Sequence, residues 1–271
     1  MHHDIFDSHT HSDNSPDGFQ SVTYLCEKAV EKGIMGISIT DHCECDEFDT
    51  GRYAMRIRQS NFEAIKARVS FQHSLMVSAG IELGQVMRNI SAADHILSVT
   101  KLDFVMASVH ISKAGEDYYY LDYKSGKVDL DDLLNRYFDD VYETARWNGF
   151  DVLAHLTYPV RYIQGRDGVP VDLSRYYDKI DAILKLVAQN GKGIEINTSE
   201  IGKNLNETMP SLEILKRYRS LGGEIVTLGS DSHRAETLGS GISQGMDLLE
   251  EAGFGYFTFY KEREPRLIKI V

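Results

Sequence analysis

The repeating unit that decides the fold is visible in residues 22–42, VTYLCEKAVEKGIMGISITDH. Its first part has apolar residues at three- and four-residue spacing, which predicts an amphipathic helix, and Gly33 follows as a stop signal. Its second part, residues 36–40, is a continuous apolar run typical of a strand buried on both faces. His42 comes almost directly after that strand, so the unit predicts a helix, a buried strand and a chemically active side chain at the strand's end.

The same alternation of apolar runs and amphipathic stretches continues along the whole chain. Further helices are predicted before Gly191 and Gly222, and the acidic residues 129–132 are typical of a helix start. The predicted strands are residues 4–8, 36–40, 76–81, 104–109, 151–154, 193–196, 225–228 and 256–259. This order predicts an α/β fold with a parallel sheet, either open or closed into a barrel. No linker or composition shift divides the chain, so we expect a single domain over residues 1–271.

Composition and charge exclude several classes of function. The formal net charge is −12 at pH 7 with no basic stripe, which argues against a nucleic-acid partner. No apolar stretch is long enough to span a bilayer and the N-terminus lacks the features of a signal peptide, so we expect no membrane association. Three cysteines without a framework spacing favour reduced thiols. We therefore expect a cytoplasmic protein whose oligomeric state is unknown.

Histidines and acids cluster just after the predicted strands. Six of the ten histidines occupy this position, and two acids share it. They are His9, His11, His42, His110, His155 and His233, with Glu82 and Asp231. Because parallel strands bring their carboxyl ends to one face, these side chains are expected to meet there. Imidazole and carboxylate ligands suit Zn²⁺, Mn²⁺ or Fe²⁺, and the set exceeds what one ion needs, so we expect more than one ion.

Two long connections are further candidates for function. Residues 43–52 are rich in acids and residues 112–128 are rich in tyrosine, and both are predicted to be binding loops or lids, with plain surface excursions as the alternative. Cys43 and Cys45 lack a second cysteine pair and are interpreted as loop thiols rather than metal ligands. Asp7 and Asp41 flank candidate ligands, where they either orient those ligands or have ordinary turn or cap roles.

Four motifs carry a resemblance to a known family, and the first of them is followed by a further short stretch at residues 40–42. These stretches are residues 7–11 (DSHTH), 40–42 (TDH), 80–82 (GIE), 108–110 (SVH) and 229–233 (GSDSH). Together they resemble the PHP family, named for its polymerase-associated and histidinol phosphatase members. The chain length and residues 155–162 (HLTYPVRY) resemble the stand-alone histidinol-phosphate phosphatase branch of that family.

The resemblance implies a distorted (β/α)7 barrel with a centre of three divalent metal ions, identified as Zn, Mn or Fe. One ion would take His9, His11, Glu82 and Asp231. A second would share Glu82 and add His110 and His155. A third would use His42, His233 and Asp17, for which the nearby Asp13 is an alternative. Eight predicted strands exceed the family's seven, so either residues 256–259 lie outside the barrel or one run is misinterpreted.

The implied chemistry is hydrolysis of a phosphate monoester. A hydroxide bridging two metal ions would attack phosphorus, and the metals would make the pocket of an acidic protein locally electropositive. Arg161, six residues past His155, is the predicted phosphate-binding cation. Asp231, His233 or a metal-bound water would protonate the leaving group.

The resemblance points to an enzyme that hydrolyses L-histidinol phosphate in histidine biosynthesis. The substrate's ammonium and imidazole groups need acidic or polar partners, for which the candidates are the acidic loop 44–49, Glu116 with Asp117, or Glu195 with Asn197. One alternative keeps the chemistry but changes the substrate to another phosphoester, such as a nucleotide or sugar phosphate. Another is a non-catalytic metal-binding module of the kind fused to polymerases.

Overall fold

Parallel strands fill seven positions around a nearly closed barrel in the computed structural model, which describes residue 2 and residues 4–271. The strands are β1 (Phe6–Thr10), β2 (Gly36–Ile39), β3 (His42–Glu44), β4 (Met76–Gly84), β5 (Phe104–Ser108), β6 (Val152–Leu153), β7 (Gly193–Asn197) and β8 (Val226–Gly229). Strands β2 and β3 share one position, because β2 pairs with the first half of β4 and β3 pairs with its second half. The predicted parallel α/β fold is confirmed, and of the two alternatives it takes the closed one.

Seven α-helices of the described residues pack their apolar faces around the strands. They are α1 (Val22–Glu31), α2 (Tyr53–Ser70), α3 (Ile90–Val99), α4 (Leu130–Trp147), α5 (Tyr177–Gln189), α6 (Leu212–Ser220) and α7 (Ile242–Glu251). The carboxylate of Asp129 accepts hydrogen bonds from two amides in the first turn of α4, which confirms the predicted helix start. Gly33 follows α1 with φ +69°, a conformation that glycine adopts without strain. No helix in the described ranges combines the length and the hydropathy that a bilayer span requires.

A carboxylate closes the barrel where β8 meets β1. The Ser232 carbonyl accepts a hydrogen bond from the His11 amide at 2.8 Å, which joins the two ends of the strand order. Beneath this contact, the buried Asp7 carboxylate accepts hydrogen bonds from the Ser230 amide at 2.9 Å, the Ser230 hydroxyl at 2.5 Å and the Gly239 amide at 2.8 Å. Asp7 therefore satisfies donors that closure of the barrel would otherwise bury without a partner.

A C-terminal hairpin covers the opposite end of the barrel. It consists of β9 (Tyr256–Lys261) and β10 (Glu264–Lys269), which pair antiparallel to each other. The ring of Phe259 stacks on Phe6 at the start of β1 with 4.8 Å between centroids, and Tyr260 stacks on Phe104 at the start of β5 at 5.0 Å. The predicted strand at residues 256–259 therefore lies outside the barrel, which accounts for the eight predicted strands against seven barrel positions.

Replacing Asp7 by alanine is expected to lower the free energy of unfolding by about 2–4 kcal/mol, because several buried donors at the barrel closure lose their acceptor. The measurement is denaturant unfolding of chelator-treated protein, which separates the barrel closure from any contribution of bound metal. The exposed Asp94 on α3 provides the control, since Asp94→Ala should change stability by no more than about 0.5 kcal/mol. Equal effects of the two substitutions would contradict the role of Asp7.

Candidate metal centre

The carboxyl ends of the barrel strands surround a cavity of about 670 Å³. All nine side chains predicted to bind metal gather at this cavity. Six of them line it, namely Asp17, His42, His110, His155, Asp231 and His233. The other three, His9, His11 and Glu82, are fully buried directly beneath it. The strand-end placement inferred from the sequence therefore does bring these side chains to one site.

Glu82 in β4 is the side chain on which the histidines converge. Its Oε2 lies 2.9 Å from His42 Nδ1 and 3.2 Å from His9 Nε2. Its Oε1 lies 2.9 Å from His155 Nε2 and 3.1 Å from His110 Nε2. Burial alone would raise the pKa of this carboxyl, but His42, His9 and His110 hold its pKa well below the usual value. Glu82 is thus an ionised carboxylate with both oxygens directed at imidazoles, as expected of a bridging ligand.

Two groups of potential ligands share Glu82. On one side, His9, His11 and Asp231 each place a ligand atom within 4.8 Å of the others, and His11 Nε2 lies 3.4 Å from Asp231 Oδ1. On the other side, the Nε2 atoms of His110 and His155 face each other at 3.4 Å. The first group has members implied for the first ion, and His110 with His155 is the histidine pair implied for the second, although ligand atoms of His42, Glu82 and His110 also lie within 4.8 Å of one another.

A third group of potential ligands consists of three stacked imidazoles. His11 stacks between His42 and His233, with ring centroids 4.3 and 4.1 Å apart, and the three can offer ligand atoms within 4.8 Å of one another. The buried nitrogens His11 Nε2, His42 Nδ1 and His233 Nε2 do not meet the geometry of a hydrogen bond, but each faces a carboxylate oxygen, of Asp231 at 3.4 Å, Glu82 at 2.9 Å and Asp17 at 3.1 Å. Burial, followed by the charges of His233 and His42, keeps the pKa of His11 well below its usual value, so this imidazole is neutral with a free lone pair. Buried imidazole nitrogens that converge with carboxylate oxygens in this way are a donor set that fits a bound cation.

Asp17 is placed to complete this third group. Its Oδ2 lies 3.1 Å from His233 Nε2 and 3.8 Å from His42 Nε2. The alternative, Asp13, does not line the cavity; its acidic neighbours are Glu63 and Asp41. The geometry thus favours Asp17 over Asp13.

Arg161 lines the cavity next to the candidate ligands. Its Nη2 donates to Asp231 Oδ2 at 2.9 Å and to the Ser199 hydroxyl, and its guanidinium carbon lies 5.5 Å from the centre of the Tyr158 ring. Its Nε lies 3.4 Å from Glu200 Oε1. These contacts hold a cation at the cavity wall, where the sequence predicted one.

Glu195 and Asn197 do not occupy the position predicted for them. Both are fully buried in β7 and neither lines the cavity, so the prediction that they contact substrate is corrected. Glu195 Oε1 instead accepts a hydrogen bond from His9 Nδ1 at 2.6 Å, and its Oε2 accepts one from the His155 amide at 2.8 Å. His155 has a φ of +23°, which is unfavourable for a residue with a side chain, and this hydrogen bond helps to hold it. Glu195 therefore orients candidate ligands from below.

Asp41 also acts on the candidate ligands from beneath, through a serine. Its Oδ1 accepts hydrogen bonds from the Ser12 amide at 2.6 Å and the Ser15 hydroxyl at 2.8 Å. Ser15 Oγ in turn lies 3.0 Å from the His42 amide, which donates to it, and 3.2 Å from His11 Nδ1. Asp41 thus holds the turn that follows β1 and, through Ser15, contacts two candidate ligands, so both roles left open for it are compatible with its contacts.

Glu44 is a site residue whose contacts the sequence analysis missed. Its Oε1 lies 3.2 Å from His110 Nδ1 and 3.4 Å from His42 Nδ1, and its Oε2 accepts a hydrogen bond from Gln85. The sequence spacing could have predicted these contacts, because His42 and Glu44 are two residues apart in a strand and their side chains therefore point the same way. Cys43 and Cys45 point to the other side and are fully buried in the core, away from these ligand groups.

Both long connections reach the cavity, but not with all of the predicted acids. Asp46 and Glu47 from the acidic loop line it, as do Asp117, Tyr119 and Tyr120 from residues 112–128. Glu116 faces away and pairs with an arginine of α4.

The fold and the site define the class of the protein as an α/β barrel with a candidate polynuclear metal centre at the carboxyl ends of its strands. The model of the PHP domain family matches residues 7–199. The chain belongs to the PHP domain family, which confirms the resemblance carried by its motifs.

Relatives match this chain along nearly its whole length. A protein of Clostridium acetobutylicum named probable histidinol-phosphatase is 30% identical over 268 residues, covering 98% of this chain and 99% of the relative. The histidinol-phosphatase of Lactococcus lactis subsp. lactis is 27% identical and covers 92% of this chain and 91% of the relative. A crystal structure of histidinol phosphate phosphatase from Lactococcus lactis, complexed with zinc, L-histidinol and phosphate, has a TM-score of 0.75 at 22% identity, covering 97% of this chain and 98% of that one. This likeness supports the distorted (β/α)7 barrel.

Replacing Glu195 by glutamine is expected to weaken metal binding about 10- to 100-fold, because the amide cannot accept hydrogen bonds from both His9 and His155. The affinity is measured by titrating Zn²⁺ into chelator-treated protein against a competing chelator. The exposed Glu213 of α6 offers a matched control, Glu213→Gln, which should bind metal as the unmodified protein does. An unchanged affinity in the Glu195 variant would show that the contact does not orient a ligand.

Proposed function

We propose that the protein is a metal-dependent phosphomonoesterase that hydrolyses L-histidinol phosphate to L-histidinol and phosphate. The observation that carries this proposal is the arrangement of the cavity, which has candidate metal ligands and Arg161 on its inner side and acids with tyrosines at its mouth. Full-length relatives named as histidinol-phosphatases support the same substrate. In this role the chain acts as one domain, in histidine biosynthesis and in the cytoplasm.

The metal centre in this proposal holds three divalent ions, with Zn, Mn and Fe as the candidates. The three groups around His9, His110 and His42 would each hold one ion, with Glu82 shared between the first two groups. When bound, the ions supply a nucleophile from water at neutral pH and a strong positive field for the phosphate.

The charges that line the cavity support the need for these ions. Six carboxylates line it among the described residues, whereas Arg161 is the one lysine or arginine that does so. The carboxylates are Asp17, Glu44, Asp46, Glu47, Asp117 and Asp231. Without further cations this cavity would repel a phosphate dianion. Bound divalent ions reverse the sign of the field at the inner side of the cavity.

Two further roles fall to side chains of this chain. Arg161 is proposed to bind the phosphate oxygens, since a guanidinium presents planar paired donors to phosphate. For protonation of the leaving alkoxide, Asp231, His233 and a metal-bound water are the candidates. Asp231 directs Oδ1 at His11 and Oδ2 at Arg161, and His233 Nδ1 lies 3.0 Å from the Asp231 carbonyl oxygen, so either side chain would have to leave these contacts to deliver a proton.

The mouth of the cavity supports a substrate that carries a positive charge and a ring. Glu47 and Asp117 line it, and Asp117 also accepts a hydrogen bond from the Tyr119 amide at 2.8 Å. Tyr119 and Tyr120 lie beside them and offer aromatic faces. An ammonium group and an imidazole would find complementary partners here.

The deciding experiment measures phosphate release from L-histidinol phosphate by the zinc-loaded protein, beside a nucleotide and a sugar phosphate. A kcat/KM above about 10⁴ M⁻¹ s⁻¹ for L-histidinol phosphate, well above the other esters and abolished by chelation, is expected of a dedicated enzyme. Equal turnover of all esters would move the function to another phosphoester. No release with metal bound would favour a non-catalytic module.

Replacing Arg161 by alanine is expected to lower kcat/KM about 100-fold or more, because a phosphate-binding donor is lost. The metal content, measured by elemental analysis of the purified variant, should stay that of the unmodified enzyme. Loss of metal from the variant would instead mean that Arg161 serves mainly to hold Asp231 in place.

A further inference from the structure

The outer wall of the cavity is built from a segment with little regular structure of its own. This tyrosine segment, residues 117–123, lies between β5 and α4. Its last residue, Tyr123, begins a short 3-10 helical turn. Its two tyrosines at the cavity, Tyr119 and Tyr120, are 52% and 80% exposed. Two rings that are exposed to this extent need an external support if they are to present a fixed surface to a ligand.

Arg166 supplies that support through the backbone of the segment. Its Nη1 donates to the Tyr119 carbonyl and its Nη2 donates to the Leu121 carbonyl at 2.5 Å. The neighbouring Asp167 accepts a hydrogen bond from the Tyr123 amide at 3.2 Å and pairs with Arg166 at 3.0 Å. One guanidinium thus bridges two carbonyls on either side of Tyr120, while the adjacent carboxylate anchors the end of the segment.

Aromatic contacts connect Arg166 to the inner part of the site. Its guanidinium carbon lies 5.4 Å from the centre of the Tyr162 ring, against which the Tyr119 ring packs edge-on at 5.4 Å. The Tyr162 hydroxyl is 2.9 Å from that of Tyr158, whose ring lies under Arg161. The contacts run without a gap from the proposed phosphate-binding arginine to the mouth of the cavity.

The local helix geometry explains why two arginines can serve both ends. Residues Arg161–Arg166 form a π-helical turn, in which the Asp167 amide donates to the Tyr162 carbonyl five residues back at 3.0 Å. In such a turn, residues five apart lie about one turn apart, and Arg161 and Arg166 have this spacing. One element therefore carries one arginine at the inner side of the cavity and another under its outer wall.

We propose that Arg166 is a positioning residue that holds the tyrosine segment as the cavity's outer wall and thereby sets the preference for a substrate with an ammonium group and a ring. This inference rests on the proposed function, because it assumes that the leaving group of the ester lies against Tyr119 and Tyr120. Arg166 itself does not line the cavity, so it acts through the segment and not on the phosphate.

The test compares Arg166→Gln and Arg166→Lys with the zinc-loaded unmodified enzyme on L-histidinol phosphate and on glycerol phosphate, which lacks the ammonium and the ring. For both variants, KM for L-histidinol phosphate should rise about tenfold, while kcat should stay within about twofold of the unmodified enzyme. The reason is that neither side chain reproduces the paired hydrogen bonds of the guanidinium to the Tyr119 and Leu121 carbonyls. KM for glycerol phosphate should stay within about twofold. Hydrogen exchange at residues 119–123 should become faster. Arg175→Gln is the matched control, since Arg175 is a well-exposed arginine away from the cavity.

Several results would overturn the proposal. An equal loss on both esters would make Arg166 a general structural residue. Unchanged kinetics in either variant would show that the hydrogen bonds of Arg166 to the two carbonyls are not needed to position the tyrosine segment. An unmodified enzyme with no preference for L-histidinol phosphate would instead overturn the proposed function and the specificity role with it, and this outcome is recognised before any variant is examined.

Discussion

A single buried carboxylate, that of Glu82, constrains the rest of the structure. Removing an ionised carboxylate from water costs several kcal/mol unless charges and hydrogen bonds compensate for it. Glu82 is fully buried, and its compensation comes from His9, His42, His110 and His155, which belong to four different places in the strand order. No one of these strands can satisfy the carboxylate alone, so the charge is tolerable only when the barrel has brought all of them together.

The close packing beneath the site follows from this convergence. At Gly229, the last residue of β8, an added Cβ would lie 2.3 Å from Glu195 Oε1 and 2.4 Å from His9 Cβ, so only glycine leaves room for the contact between these two side chains. Asp7 closes the barrel directly below, and Asp41 fixes the turn that follows β1. Buried acids that are not themselves candidate ligands thus orient the candidate ligands, as is usual around metal centres.

The candidate ligands could be predicted from the sequence because strand ends in a parallel barrel are equivalent positions. A histidine after an apolar run needs no further information to be placed at the common face, and the shared position of His9, His110 and His155 made the set recognisable. Burial at that face was harder to predict. Glu195 and Glu82 are both fully buried acids in apolar strands, yet Glu82 faces the Nε2 atoms of His9 and His155 whereas Glu195 accepts from His9 Nδ1 and the His155 amide, and the apolar pattern of a strand does not distinguish these two positions. The antiparallel pairing of β9 was equally hidden, since an apolar run does not reveal its partner's direction.

The distribution of charge at the cavity bears on selectivity as well as affinity. If divalent ions occupy the inner groups, a phosphate is attracted there, whereas Glu47 and Asp117 at the mouth repel any ester that brings only negative charge. A zwitterionic ester meets attraction at both ends, and an anionic sugar phosphate or nucleotide meets attraction at one end and repulsion at the other. Discrimination in such a site arises from the penalty on the wrong substrate as much as from contacts to the right one. The high acid content of the cavity, which is unfavourable for a phosphatase without its ions, is then what separates one phosphate monoester from another.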